Sequence, residues 1–388
     1  MTPLTSPAQL VDPELHATGN PHAVWRWMRE NAPVYQHQAD QLPAFWSLTR
    51  YEDIRAVYRD HDSFSSAHGV LLRPAALGAD PGGGLTLALT DPPRHKQLRS
   101  LLAPRFAVRS ARELEDFLRA DVREALARAT ERGECDFAQD VAARLSALTV
   151  CRLTGVPPED HEMFVRAISE AFAAAQPLIA HPQLMEYLVE LMYQRMEEAA
   201  EDLMSSLTDD EMLNEEEILL NIENLVGASE NAGLSMAGGA LAFLDHPEQW
   251  DRLRTDRSLL PLAVEEVLRW TSSATHSMRT AARPAVLGGQ RIEAGDRLVL
   301  WIPSANRDEG VFACPDEFDI ARRPNRHLAL GFGEHVCIGG NVARTQLRVL
   351  LTEMLDRVAL MERTGPVVRL RSIAVNGPEH LPVRITPM

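Results

Sequence analysis

The 388-residue chain is long enough to bury a sizeable core, and 45% apolar with 24% charged residues excludes a disordered polymer. A formal net charge of -16 argues against a general nucleic-acid binder, which needs concentrated Lys and Arg to meet phosphate. No basic and apolar leader opens the chain and no apolar run reaches bilayer length, so a cytoplasmic protein without a membrane anchor is expected.

Along the chain, sheet-containing portions are expected near residues 30–60 and 280–325. Glycines and prolines crowd residues 65–90, which read as a long loop. Asp91-Pro92-Pro93 is a helix-start signal, with His95 and Arg99 four residues apart behind it. From about 110 to 245 apolar residues recur three and four apart, in segments such as 111–130, 160–176 and 183–205. The longest helix candidate runs from Asn214 to Phe243, with Asn214 and Glu217 as a capping box and Asp245-His246-Pro247 closing it. Its middle, Gly227-Ala228-Ser229-Glu230-Asn231, is small and polar, which suggests a bend or a close approach to backbone. After Arg279 the period shortens to strands at 285–287, 291–292 and 296–302; helix returns after Cys337, and the last thirty residues read as strands and turns. The pattern predicts a mainly α fold with small β-sheets, with no internal repeat and no clear interdomain linker.

Cys135, Cys151, Cys314 and Cys337 form no C-x-x-C pair, which removes zinc-ribbon and disulfide-scaffold readings. Cys135 and Cys151 lie in or beside helical apolar patterns, as buried structural thiols do. Cys337 differs. It sits in the run Leu330-Gly331-Phe332-Gly333-Glu334-His335-Val336-Cys337-Ile338-Gly339 just before a helix, where backbone N–H groups favour a thiolate and glycines let the chain surround the sulfur. Such a cysteine is a nucleophile with His335 as base, or an axial ligand to a metal cofactor.

This loop resembles the haem-binding signature of the cytochrome P450 family, Phe-Gly-x-Gly-x-His/Arg-x-Cys-x-Gly. Gly331, Gly333, His335, Cys337 and Gly339 fit it, and Leu330 stands where the family has Phe. Glu266 and Arg269 resemble the family's Glu-x-x-Arg pair, and the run from Ser304 to His327 resembles the stretch that leads into the cysteine loop. The likeness extends from about Asp91 to the helix after Arg344.

The resemblance implies the P450 fold, haem b as cofactor, Cys337 as the iron ligand, and His95, Arg99, Arg279 and His335 as holders of the propionates. It makes Glu266, Arg269, Arg307 and Arg323 a structural network and places Glu230 and Asn231 over the distal haem face, with Asn231 where the family has threonine. Leu87, Leu89, Val226, Gly227, Ala274 and Thr275 become candidates for the substrate pocket. The implied function is insertion of one oxygen atom from O2 into an organic molecule, free or carrier-protein-bound, in bacterial secondary metabolism such as antibiotic biosynthesis. Electrons come from an external ferredoxin and ferredoxin reductase, since the chain shows neither a reductase module nor a nucleotide-binding fingerprint. A basic patch of Arg94, Lys96, Arg99, Arg105 and Arg109 is the expected docking surface. Asn231 keeps open peroxide-dependent oxidation, oxidative coupling or rearrangement; a haem-based sensor is the reading of a different class.

Overall fold

The computed structural model describes the chain apart from residues 1–5, 39–41, 74–79, 81 and 174–180. Parts of the expected 65–90 loop, and Pro177 with its surroundings, therefore lie outside the described residues. The central helix runs over Glu215–Asp245, 31 residues or about 46 Å of axis. Its start is chemically fixed. The Asn214 side chain accepts the Glu217 N–H at 2.9 Å and the Glu217 carboxylate accepts the Asn214 N–H at 3.2 Å, while Glu215, Glu216 and Glu217 complement the helix dipole.

The chain stays helical through the small and polar middle of this element, where the sequence suggested a bend. Two hydroxyls reach helix carbonyls there instead. Ser146 donates to the Ser229 carbonyl at 2.6 Å, and Ser235 donates to the Asn231 carbonyl at 2.8 Å. Close approach comes one to three turns later. A Cβ on Gly233 would stand 3.3 Å from the Ala143 Cα, and one on Gly239 would stand 2.7 Å from Val267 Cγ1. The central helix thus packs closely against the π-helical segment Phe137–Ala143 on one side and the helix Leu260–Thr271 on the other.

Two large apolar clusters surround it. One joins the helices Glu115–Arg132, Leu260–Thr271 and Gly340–Arg357 through residues such as Leu126, Val267, Leu351 and Met354. The other gathers the helices Arg144–Thr154, His161–Ala173, Pro182–Glu197 and Leu203–Thr208 through Leu148, Phe164, Leu188 and Leu207. Cys135 and Cys151 are buried in these clusters, and burial pushes both thiols up to about 12.

A five-stranded sheet takes the order Val34–His37, Phe45–Leu48, Arg297–Trp301, His276–Ala281, Phe64–Ser65. Phe45–Leu48 and Arg297–Trp301 pair in parallel and the other neighbours pair antiparallel. Leu298 to Trp301 are all inaccessible to solvent. One cluster takes Leu298 and Leu300, and a second, with Trp25 and Phe45, takes Val299 and Trp301, so both faces are covered. Strand structure in this region ends at Trp301; from Ile302 to the cysteine loop the chain forms a one-turn helix and turns, which corrects the expected sheet portion reaching 325. A three-stranded sheet of Glu134–Asp136, Pro382–Pro387 and Val358–Arg363 anchors the C-terminal strands. Among the described residues no helix is long and apolar enough to cross a membrane.

Candidate active site

The cysteine loop is shaped by its glycines. Gly331 and Gly333 have φ of 70° and 74°, and a Cβ on Gly333 would stand 2.6 Å from the Tyr58 carbonyl oxygen. The loop closes when Cys337 N–H donates to the Leu330 carbonyl at 2.8 Å, and Phe332 packs between the guanidinium groups of Arg55 and Arg59. The sulfur opens to an interior cavity while protein surrounds it. Burial pushes the thiol up, and this outweighs the Gly339 backbone hydrogen bond and the charges of Arg99 and Arg344. Coordination to a cation would oppose that shift and favour the thiolate.

The cavity is about 350 Å³, lined on one side by Cys337, Leu330, Gly331, Ile338 and Gly339 and on another by the central helix. Leu225, Ala228, Ser229, Ala232 and Ser235 line it at helical spacing, together with Asn231. Val226 and Gly227 do not, because that face of the helix turns toward the core, where Val226 is fully buried. The same alternation corrects three other pocket candidates. Leu87 and Leu89 point into the core and Ala88 between them lines the cavity; Ala274 and His276 line it, whereas Thr275 is inaccessible with Oγ1 unpartnered. Asn231 Oδ1 is buried and has no hydrogen-bond partner. Glu230 lies off the cavity lining, and burial lifts its carboxyl to about 7.

Beside the cysteine loop the four expected cofactor-binding residues gather. His95 is inaccessible with neither ring nitrogen partnered, and its ring stands 4.1 Å from that of His335. His335 Nε2 lies 3.3 Å from Ser66 Oγ; burial, then the charge of Arg279, pushes this imidazole down to about 3. Arg279 is buried over the Tyr58 ring and, among the described residues, its guanidinium donates only to the Met278 carbonyl, at 2.7 Å. The Arg99 guanidinium has no hydrogen-bond or ion-pair partner among the described residues. Buried cations and donors without an acid counterpart fit a dianionic group, and the apolar walls of Phe106, Val150, Leu268 and Val342 fit a flat macrocycle. Haem b, with two propionates and an iron that takes a thiolate, has that chemistry.

Behind the site lies the expected ion-pair network, with one change of member. Glu266 and Arg269 are both fully buried and joined by two hydrogen bonds of 2.7 and 2.8 Å. Arg269 also donates to the carbonyls of Asn306, Pro315 and Glu317. The third arginine is Arg322, whose Nε stands 3.2 Å from both Glu266 oxygens, with Asn325 completing the shell at 3.0 Å. Arg323, next to it in the turn that Arg322 N–H closes on the Asp319 carbonyl, is exposed. Arg307 is not bonded to Glu266 either: it pairs with Asp316 and lies 4.0 Å over the Trp270 ring. Asp91 does not cap the helix Arg94–Leu102 with its side chain; its carboxylate accepts from Ser65 and from the Ser66 N–H.

The comparisons with known proteins agree with this site. A family model for cytochrome P450 matches residues 245–374. Cytochrome P450 NovI of Streptomyces niveus is 34% identical over 99% of both chains. The chain belongs to the cytochrome P450 family. Nocardicin C N-oxygenase of Nocardia uniformis subsp. tsuyamanensis is 35% identical over 93% of this chain and 95% of its own. The crystal structure of P450 OxyD, which is involved in the biosynthesis of vancomycin-type antibiotics, superposes with a TM-score of 0.92 at 32% identity, over 98% of this chain and 99% of that one. The protein is accordingly a haem-thiolate oxidoreductase of the monooxygenase type, with haem b as its cofactor.

Some of this P450's site residues carried no sequence signal. Glu265 accepts from Arg344 at 2.6 and 2.9 Å and stands 3.1 Å from His327 Nε2, tying the helix Leu260–Thr271 to the helix that follows Cys337. Burial pushes Glu265 upward, but its bonds from His327 and Arg344 together hold it at about 2. Glu265 stands beside Glu266 in sequence, and nothing in that pair says that each serves a different partner.

Proposed function

We propose that this P450 acts as one domain over residues 1–388, inserts one oxygen atom from O2 into a small or medium-sized organic molecule of secondary metabolism, and takes its electrons from an external ferredoxin served by a ferredoxin reductase. The carrying observation is Cys337 opening into a cavity whose other wall is the central helix and whose flank holds His95, Arg99, Arg279 and His335. Relatives in vancomycin-type antibiotic and nocardicin chemistry support the metabolic class. Haem b, when bound, supplies dioxygen binding and oxygen-atom transfer. Cys337 would hold its iron, and the two histidines and two arginines would bind the propionates. Asn231 offers an unpartnered amide oxygen to a water or to a donor on the substrate, and Glu230, near neutrality in pKa, holds or yields a proton beside it.

The test is the absorption spectrum of the reduced carbon monoxide complex. The parent is expected to show the long-wavelength thiolate band, and Cys337→His to lose it while the fold is kept. A parent band at the histidine-ligated position under non-denaturing conditions overturns the assignment. Turnover supported by ferredoxin, reductase and O2, compared with peroxide alone, separates monooxygenation from the peroxide-dependent chemistry that Asn231 leaves open.

A further inference from the structure

His276 opens the strand His276–Ala281, is 2% exposed, and lines the cavity. Both ring nitrogens are engaged. Nε2 accepts the Leu72 N–H at 2.9 Å, and Nδ1 stands 2.9 Å from the Ile373 carbonyl oxygen. An amide N–H only donates and a carbonyl only accepts, so the neutral tautomer with its proton on Nδ1 is the one form that serves both. The two partners come from chain segments 204 residues before and 97 residues after it. Backbone bonds place both segments against the same strand region: Met278 N–H donates to Val70 at 2.7 Å, Thr275 N–H donates to Ala374 at 2.9 Å, and Ala274 bridges Val375. Val70 and Ala274 line the cavity.

We propose that His276 is a positioning residue for substrate, whose neutral imidazole locks the segments 70–72 and 373–375 against the residues 274–277 that wall the cavity and so sets the shape a substrate must have. This rests on the reading of the cavity as the substrate space. With both nitrogens committed, the ring has none left for a substrate, so it acts through the two segments. Burial, with a smaller contribution from His16, lowers His276 to about 4, which keeps the lock neutral at ordinary pH.

The test uses haem-loaded protein, hydrogen exchange resolved to single amides, and two probes that bind haem iron, imidazole and the bulkier 4-phenylimidazole. His276→Phe keeps the ring volume and loses both bonds. It is expected to hasten exchange at Leu72 and at Ala374 and Val375 about ten-fold, the scale of one lost buried hydrogen bond. It is also expected to change the Kd of 4-phenylimidazole at least about five-fold while leaving that of imidazole within about two-fold. The conservative variants divide the effect. His276→Gln, whose amide oxygen reaches the Nε2 position, restores slow exchange at Leu72 only; His276→Asn, whose amide nitrogen reaches the Nδ1 position, restores it at 374–375 only. Unchanged exchange in the Phe variant, acceleration spread over the whole molecule, Gln and Asn behaving alike, or an unchanged Kd of 4-phenylimidazole overturns the proposal. Loss of the thiolate band in the parent overturns the haem-thiolate reading instead, and the exchange results still decide the lock.

Discussion

At the scale of single residues, Asn231 and Glu230 hold groups that a stable interior would avoid. A buried amide oxygen without a partner costs about 1–3 kcal/mol. Asn231→Leu, close in volume, is expected to raise stability by about 1 kcal/mol and to raise the share of reducing equivalents lost as peroxide. Thermal melts and peroxide assays check the two halves, and a variant that gains stability without losing coupling removes the catalytic role. Glu230 gives a pH signature. Its folded pKa of about 7 lies above the ordinary carboxyl value, so the contribution of its neutral form is full below about pH 4.5 and is lost as pH rises through 7. Glu230→Gln should therefore be more stable than the parent at pH 8, by about 1–2 kcal/mol, and equal to it near pH 4.

At the scale of elements, the helix Leu260–Thr271 is the hub: Glu266 and Arg269 bind the chain leading into the cysteine loop, and Glu265 binds the helix leaving it. Glu265 is depressed to about 2, so its stabilisation is present above the unfolded value near 4.5 and is lost as pH falls from there toward 2. Glu265→Gln is expected to cost on the order of 2–3 kcal/mol at pH 7 and to flatten acid unfolding between pH 5 and 2, read by circular dichroism. The same hub presses on the central helix at Gly239. Alanine there gains about 1 kcal/mol of helix propensity, but its Cβ would meet Val267, a stiff and fully buried side chain, at 2.7 Å. Gly239→Ala should thus destabilise by about 1 kcal/mol net, and Val267→Ala added to it should cost less than Val267→Ala alone. Additive losses would show that the contact is slack.

For the whole molecule, a net charge of -16 has to coexist with an acidic electron donor in the proposed reaction. Two members of the expected basic patch are committed internally, Arg94 to Glu217 and Arg105 to Ser206, and Arg109 is paired on the surface with Glu113. Lys96 is the single lysine of the chain, 61% exposed, and 3.8 Å from Glu334 in the cysteine loop. Carbodiimide coupling to a ferredoxin is expected to join Lys96, and Lys96→Gln to slow electron transfer about two- to five-fold at low salt with a weaker salt dependence. Cross-links confined to other parts of the surface would move the docking face elsewhere.

The sequence by itself determined what depends on neighbours along the chain. Helical spacing, the Asn214 and Glu217 cap, and the Gly-x-Gly-x-His-x-Cys-x-Gly loop fix the central helix and the cysteine loop, because backbone hydrogen bonding and φ act over a few residues. The Glu266 and Arg269 pair was legible for the same reason, being one helical turn apart. Only the tertiary structure decided which face of each element looks into the cavity: Leu225 and Ala228 rather than Val226 and Gly227, Ala88 rather than Leu87 and Leu89, Arg322 rather than Arg323. A shift of one residue turns a side chain by about 100° on a helix or to the opposite face of a strand, and which direction is inside is set by packing partners remote in sequence. His276 is the extreme case. Its ring holds Leu72 and Ile373, and no spacing in the sequence relates those three residues, because each belongs to a different segment of the chain.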